Sequence, residues 1–505
     1  MKKFFKILFS RFTLIFLAIV MQISLAAVIL LYFNNYYVPI RIVTSVIAVL
    51  VLLGLINRDM NIEGKLPWAI LVAAVPIVGV ILYFSFSHNY ASVRERKLFA
   101  KLPRHKLGEQ EIEVPAKING QINYLNEMGE FAFTDTSTKY FENGESFWED
   151  LITELEKAEK FIFMEYFIVE RGKMFDKILE ILMRKSKQGV EVRLMYDDVG
   201  SLPHIKHSFN RKLSKLGINC VRFGKLKPIV STVYNNRDHR KITVIDGKVG
   251  YMGGINLADE YINETHPFGY WKDTAVKLTG NAVSSCSLLF LQMFDMAKGQ
   301  TECFDKYLLT ETTEEKERKT EKHQGVVIPF GDGPKPIYRE YVARNVYLNL
   351  INQAEKDLYV TTPYLIVDDA FIDALRRASL RGVNVNIVIP GIPDKKAVYC
   401  MTRQGCSKLI DAGIKIYTYT PGFIHAKGIV ADGTCGVVGT INLDYRSFVH
   451  HYECGVFMYE TQAISELQDD MYKTIAQSKL VISSIKLRWW EKIVCLFANV
   501  FRPML

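Results

Sequence analysis

Four residue types recur at fixed intervals in two places along the 505-residue chain. In "RDHRKITVIDGKVGYMGGIN", His239, Lys241, Asp246 and Asn256 bring an imidazole, an ammonium, a carboxylate and an amide. In "FIHAKGIVADGTCGVVGTIN", His425, Lys427, Asp432 and Asn442 repeat the same spacing. One His-x-Lys on a strand is ordinarily a surface pair. Two copies with matched Asp-Gly and Asn offsets are not explained that way, and both are read as parts of one site.

A phosphodiester suits this set of groups. A lysine supplies a point positive charge and an asparagine supplies amide donors, and both hold non-bridging phosphoryl oxygens. A neutral imidazole attacks phosphorus and forms a covalent phosphohistidine, splitting one hard displacement into two. A second, protonated imidazole hands its proton to the departing alkoxide. A single motif lacks one of those partners, whereas two motifs facing each other supply both. A metal site is a poor rival, because lysine is a poor neighbour for a cation and no further ligands stand at zinc-like spacing. No Walker loop is present in the sequence, so nucleotide-driven transfer is unsupported.

The elements that carry these groups are themselves repeated. Side chains at i and i+2 of a strand share a face, so "HRKITVI" projects His239 and Lys241 together. Asp246-Gly247 and Asp432-Gly433 are hairpin turn signals. The two aspartates count with the histidines and lysines as catalytic-motif residues, although their place in the turn reads as fixing it instead of touching substrate. Upstream, "MFDKILEILMRKSKQGVEVRLMYD" matches "VDDAFIDALRRASLRGVNVNIVIP" in pattern, each a helix, a glycine stop and an apolar strand. The alternation predicts two α/β units with mainly parallel sheets in a pseudo-twofold arrangement. The charged run "TETTEEKERKTEKHQ" between them reads as a solvated connector.

The first ninety residues are different in kind. Phe12–Phe33 and Leu66–Phe86 carry no charge and Val38–Ile56 carries only Arg41, each about long enough to cross a ~30 Å hydrocarbon layer. Three crossings would place the basic tail (Lys2, Lys3, Lys6, Arg11) and the basic stretch Arg94–Lys106 on opposite sides. The positive-inside rule therefore requires one exception, or one run that lies flat or re-enters. A cytoplasmic main body is expected. The eight cysteines lack CxxC spacing and fit free thiols in a reducing compartment. A net charge of +9 favours a polyanionic partner. The C-terminal "IKLRWWEKIVCLFANVFRPML" reads as a basic, aromatic-rich amphipathic helix, suited to a lipid interface or packed at the domain edge. The expected layout is a hydrophobic segment at 1–36, a transmembrane helix pair at 37–90, lobes at 91–308 and 325–484 joined by a connector at 309–324, and the amphipathic helix at 485–505.

The paired His-x-Lys-x4-Asp motifs resemble the signature of the phospholipase D superfamily. The N-terminal spans, with "MEYFIV", "VRLMYDDVGS", "GGINLADEY", "TTPYLIV" and "GTINLDYRSF", resemble the bacterial cardiolipin synthases more narrowly. The resemblance implies two phospholipase D-like α/β/α repeats behind a multi-pass anchor in a bacterial cell membrane. It implies transfer of a phosphatidyl group from one phosphatidylglycerol to another, with cardiolipin and glycerol as products and neither metal, cofactor nor nucleic acid. It further implies His239 as nucleophile and His425 as acid and then base, in roles that symmetry makes nearly exchangeable. Lys241, Lys427, Asn256 and Asn442 would bind phosphate. By position, Asp273 and Glu453 match the carboxylates that orient each histidine, although each has a salt bridge to Lys272 or Arg446 as its ordinary alternative. Thr440 stands where many members carry serine. Glu165 faces the cleft or is a buried, paired glutamate, and Tyr166, Phe167 and Tyr364 are core or line an acyl groove. The competing functions are a hydrolase or a synthase with another acceptor alcohol, and a basic membrane-tethered binding protein. A nuclease is disfavoured by the anchor.

Overall fold

The computed structural model describes residues 20, 24, 34–58, 60, 62–87, 91–103, 107, 112–225, 235–308, 325–482 and 487–500. The connector 309–324 and nearly all of the run Phe12–Phe33 lie outside the described residues. Two compact units divide the chain, one built mainly from residues up to Asn89 and one from Tyr90 onward.

The larger unit holds both repeats. Its first sheet comprises β1 (Thr136–Phe141), β2 (Phe161–Tyr166), β3 (Glu191–Asp197), β4 (Asn219–Phe223), β5 (Ile242–Ile245), β6 (Val249–Gly253) and β8 (Ala275–Gly280), with β7 (Tyr270–Lys272) apart. The second comprises β9 (Val326–Asp332), β10 (Asp357–Thr361), β12 (Asn384–Pro390), β13 (Lys415–Tyr419), β15 (Gly428–Ala431), β16 (Cys435–Gly439), β18 (Glu453–Tyr459) and β19 (Ser478–Leu480). Outside it lie β11 (Leu365–Ile366), β14 (Gly422–Ile424) and β17 (Leu443–Asp444). The strand orders correspond: β1-β8-β6-β5-β2-β3-β4 against β9-β18-β16-β15-β10-β12-β13, with β19 added at one edge.

The sheets are mixed where mainly parallel ones were expected. Strands β2, β3 and β4 run parallel, as do β10, β12 and β13, because helices connect them. The motif hairpins β5–β6 and β15–β16 add antiparallel halves. Asp246 and Gly247 adopt φ of 53° and 69°, and Asp432 and Gly433 adopt 53° and 66°. Positive φ at both central positions is the conformation Asp-Gly favours in a two-residue turn.

Each aspartate also has a long-range task. Asp246 accepts the backbone N–H groups of Glu159, Lys160 and Phe161 at 2.7–2.8 Å. Asp432 accepts those of Glu355, Lys356 and Asp357 at 2.7–3.1 Å. The hairpin tip is thereby tied to the start of the neighbouring strand, β2 or β10. Both aspartates stand seven residues along the chain from the histidine, beyond a four-residue strand, a span of roughly 23 Å in extended backbone, and neither adjoins the histidines and lysines.

Alternation along the strands fills two layers. Ile162, Met164 and Tyr166 face the outer helices Gly144–Lys157 and Lys173–Lys187, whereas Phe161 and Phe163 face inward. In β18, Phe457 and Tyr459 face the outer helix Val342–Gln353 and its neighbours, whereas Cys454, Val456 and Met458 face inward. The inner faces of both lobes share one core with helices Val283–Lys298 and Gln462–Ala476. The lobes thus fold as one body.

The C-terminal helix spans Trp489–Val500. Glu491 is buried and pairs with Arg403 at 2.6 Å. Trp489 and Leu496 remain exposed.

In the smaller unit, Asn34–Ile56 is a helix, and Val38–Ile56 within it is long and apolar enough to cross a membrane. The run Leu66–Phe86 is two helices, Ile62–Ala74 and Pro76–Phe86, where one span was expected. Pro76 opens the second helix, and Val75 before it leaves the helical region at φ −136° and ψ 70°, in keeping with the restriction on a residue that precedes proline.

Replacing Asp246 or Asp432 with alanine should lower stability by about 2–4 kcal/mol, since three backbone donors lose a charged acceptor. Thermal unfolding in detergent measures this. KM of the folded fraction should stay near the parent value, because neither carboxylate adjoins the histidines.

Candidate active site

The motif strands enter the site through backbone pairing between the lobes. His239 N–H donates to Tyr452 C=O at 2.9 Å, and Tyr452 N–H donates to Arg237 C=O at 2.8 Å. On the opposite side β14 pairs in parallel with β7, and His425 N–H donates to Lys272 C=O at 2.7 Å. Each histidine is therefore laid beside the segment of the other lobe that leads to an acidic residue.

The acid closes the contact. Glu453 holds His239 Nδ1 at 3.0 and 3.1 Å, and Asp273 holds His425 Nδ1 at 2.5 Å. Both carboxylates are fully buried. A carboxylate on Nδ1 fixes that nitrogen as the donor and leaves the Nε2 lone pair as the reactive one. The alternative salt bridges do not form: Lys272 pairs with Asp470 at 2.7 Å instead.

The two carboxylates are seated differently. The Thr440 hydroxyl donates to Glu453 and accepts from Cys454 N–H at 3.0 Å. Its counterpart is Gly254, where a Cβ would lie 2.1 Å from Asp273 Oδ1. A glycine is required there for the shorter aspartate to reach His425.

The lysines complete the cluster. Lys241 Nζ donates to His239 C=O at 2.7 Å, and Lys427 Nζ donates to His425 C=O. Both are buried. Burial pulls Lys241 down to about 8 against the upward pull of Glu453 and Asp273. Burial also pulls Lys427 down to about 7, with Asp273 opposing and Lys241 repelling. Burial, followed by the charges of both lysines, holds His239 and His425 well below the ordinary histidine range. The free site therefore presents neutral imidazoles beside two buried lysines that donate to backbone carbonyls, while the two carboxylates are held by the rings, an arrangement suited to a phosphate.

Asn256 Oδ1 accepts from Ile168 N–H at 3.0 Å and its Nδ2 donates to the Tyr261 hydroxyl at 2.7 Å. Asn442 is buried with Oδ1 unpartnered. Phe167 packs edge-on to His239 at 5.0 Å between centroids and lies 5.5 Å from Lys241 Nζ. Tyr364 donates to Asp394 at 2.6 Å, and Tyr166 is buried against Thr243 at 2.7 Å. Glu165 is fully buried, and burial, followed by the charge of Asp238, raises it well above the carboxylate range.

Several neighbours escaped the sequence reading. Tyr261 and Trp271 flank His425 at 5.5 and 5.4 Å. His451 flanks His239 at 5.5 Å, with Nδ1 3.5 Å from the same Glu453. Trp271 and His451 had only their nearness in sequence to Asp273 and Glu453 as a signal, and Tyr261 only its place at the end of "GGINLADEY". Buried Arg240 donates to the carbonyls of Glu453, Leu289 and Asp332 at 3.1–3.3 Å and to the Tyr338 hydroxyl at 2.6 Å, cross-bracing the lobes. Among the described residues His239, His451 and Glu453 have ligand-type atoms within 4.8 Å of one another. Lys241, Lys427 and Arg446 bear on His239 with positive charge, which disfavours a cation in that space.

Two α/β repeats that each give one His-Lys pair to a common site define the phospholipase D class of fold. The family model "Cardiolipin synthase, PLD-like domain" matches residues 151–268 and 347–475, and "Phospholipase_D-nuclease N-terminal" matches 45–87. A cardiolipin synthase of Alkalihalophilus pseudofirmus is 32% identical over 456 residues, covering 87% of this chain and 88% of that one. Cardiolipin synthase 2 of Bacillus anthracis is 33% identical over 429 residues, covering 82% and 81%. The crystal structure of a Haemophilus influenzae phosphatidylserine synthase superposes with a TM-score of 0.56 at 14% identity, covering 77% and 98%. The chain belongs to the cardiolipin synthase family of phospholipase D-like phosphatidyltransferases.

The lysine charges set a pH limb. They are present below about 7–8 and lost as pH rises through that window, so kcat/KM for an anionic lipid should fall above it. Lys427→Arg, whose guanidinium stays charged, should move the limb upward while lowering the maximum. An unmoved limb in both Lys427→Arg and Lys241→Arg would assign it elsewhere.

Proposed function

We propose that the protein makes cardiolipin from two molecules of phosphatidylglycerol. His239 Nε2 attacks the phosphorus of the first, and the glycerol oxygen leaves with a proton from His425. His425, now neutral, takes the proton of a hydroxyl on the second molecule, whose oxygen displaces His239 from phosphorus. Cardiolipin and glycerol are the products, and both histidines return to their starting states.

The observation that carries this reading is the crossed pair of imidazole–carboxylate contacts, which turns one Nε2 from each lobe to chemistry in a shared cationic pocket. Lys241, Lys427, Asn256 and Asn442 hold the phosphoryl oxygens. His425 is neutral in the free site, so the protonated form it needs arises when the lipid phosphate brings its negative charge among the lysines. The lipid substrate places the reaction at an anionic membrane, with the body on the cytoplasmic side.

Purified protein given phosphatidylglycerol alone should yield cardiolipin and glycerol in equal amounts by mass spectrometry. Phosphatidic acid and glycerol in their place would mean water is the acceptor. His425→Ala should lower turnover by about 10²–10⁴-fold, and His239→Ala should abolish it, with unfolding temperatures close to the parent's. Near-normal rates in either variant would end the covalent scheme.

A further inference from the structure

We propose that the apolar run Leu66–Phe86 does not cross the bilayer: it enters, turns at Val75 and returns to the face it came from. The two helices that contain it lie antiparallel. Trp68 and Tyr83, fifteen residues apart, stack edge-to-face at 5.9 Å. A Cβ on Gly79 would lie 2.7 Å from Val72 Cα, seven residues earlier. In a straight helix those positions are about 10 Å apart. The absence of a side chain at Gly79 is what lets the two backbones touch.

Length gives the same answer. The arms have 13 and 11 residues, about 20 Å and 16 Å, short of the ~30 Å needed to cross. The 23-residue helix Asn34–Ile56 is about 34 Å long and does reach. The hairpin packs on the C-terminal half of that helix, where Ala48 and Leu55 join Trp68, Val72 and Tyr83 in one buried cluster.

Polar contacts fix all the open ends at one level. Arg58, just past the long helix, donates to the Ser87 hydroxyl at 2.9 Å, at the end of the second arm. Lys65, at the start of the first arm, donates to Ile56 C=O at 2.7 Å. Leu66, Ile70, Ile81 and Phe84 are exposed along the arms. The occupant of that face is lipid acyl chain: the run has no charge over 21 residues and continues the apolar surface of the crossing helix.

The topology removes the conflict in the charge pattern. If Phe12–Phe33 crosses once and Asn34–Ile56 crosses back, a hairpin that returns leaves the basic tail and the Arg94–Lys106 stretch on one side. Both then obey the positive-inside rule.

Single cysteines in the full-length protein test this. Cys303, the exposed native thiol, is replaced by serine, and the other seven native cysteines are buried. Asn35→Cys, Asn57→Cys and Lys101→Cys are treated with a membrane-impermeant maleimide in intact and in permeabilised cells. Asn35→Cys should label on one side, and Asn57→Cys and Lys101→Cys together on the other. Labelling of positions 57 and 101 from opposite sides would make the run a true crossing and overturn the proposal. So would positions 35 and 57 on the same side, or a position 57 refractory from both. Lipid product formation is read separately and does not depend on the outcome.

Discussion

The site depends on a crossed arrangement: each lobe supplies the histidine, and the other lobe supplies the carboxylate that orients it. His239 leans on Glu453 and His425 on Asp273, and each contact sits beside a short backbone ladder between the lobes. Neither half can orient its own imidazole alone. The shared inner core and the buried Arg240 bridge therefore serve the chemistry as well as the fold, because a shift between lobes would detach each histidine from its acid. A buried guanidinium bonded to three carbonyls holds that register in a way an apolar contact would not, since carbonyl acceptors specify direction.

The same packing creates the electrostatic problem that a substrate solves. Two ammonium groups and two imidazoles are buried around two carboxylates. Desolvation opposes every charge in the set, and it pulls both lysines below their ordinary range. On the proposed chemistry, an entering phosphodiester relieves the lysines' mutual repulsion and raises the proton affinity of the nearby imidazoles. Binding energy and proton supply thus come from one event. On the proposed chemistry this coupling keeps the acid from being charged until there is an alkoxide to receive its proton.

Much of this was legible in the residues, and the limits have physical causes. The doubled motif was visible in the spacing alone, although its histidines and lysines stand just ahead of strands β5 and β15 and not on them as expected. The Asp-Gly turns read correctly as turns, since the φ values they adopt are ones few residue pairs accept. Which carboxylate served which histidine was not legible, because crossing is a property of docked lobes and not of either sequence half. The mixed sheets were missed for a related reason: apolar strands look alike in either direction, and only their connections set polarity. The hairpin at Val75 was hidden inside an uncharged 21-residue run. There, one proline and one glycine decide between a span and a fold, and average hydropathy is blind to both.

The pseudo-symmetry is incomplete, and the departures cluster at the histidines. His239 has a glutamate braced by a threonine hydroxyl, with His451 and Phe167 alongside. His425 has an aspartate admitted by Gly254, with Tyr261, Trp271 and Phe423 around the ring. A duplicated site with two identical histidines would have no means of assigning an attacking and a protonating role. Here one imidazole has His451 and Phe167 beside it, and the other is ringed by three aromatic side chains, while both lysines bear on each. The two rings meet different dielectric and charge environments, which is the condition under which pKa values move apart and roles divide. The repeat supplies two like imidazoles, and the residues that surround them make the pair unequal.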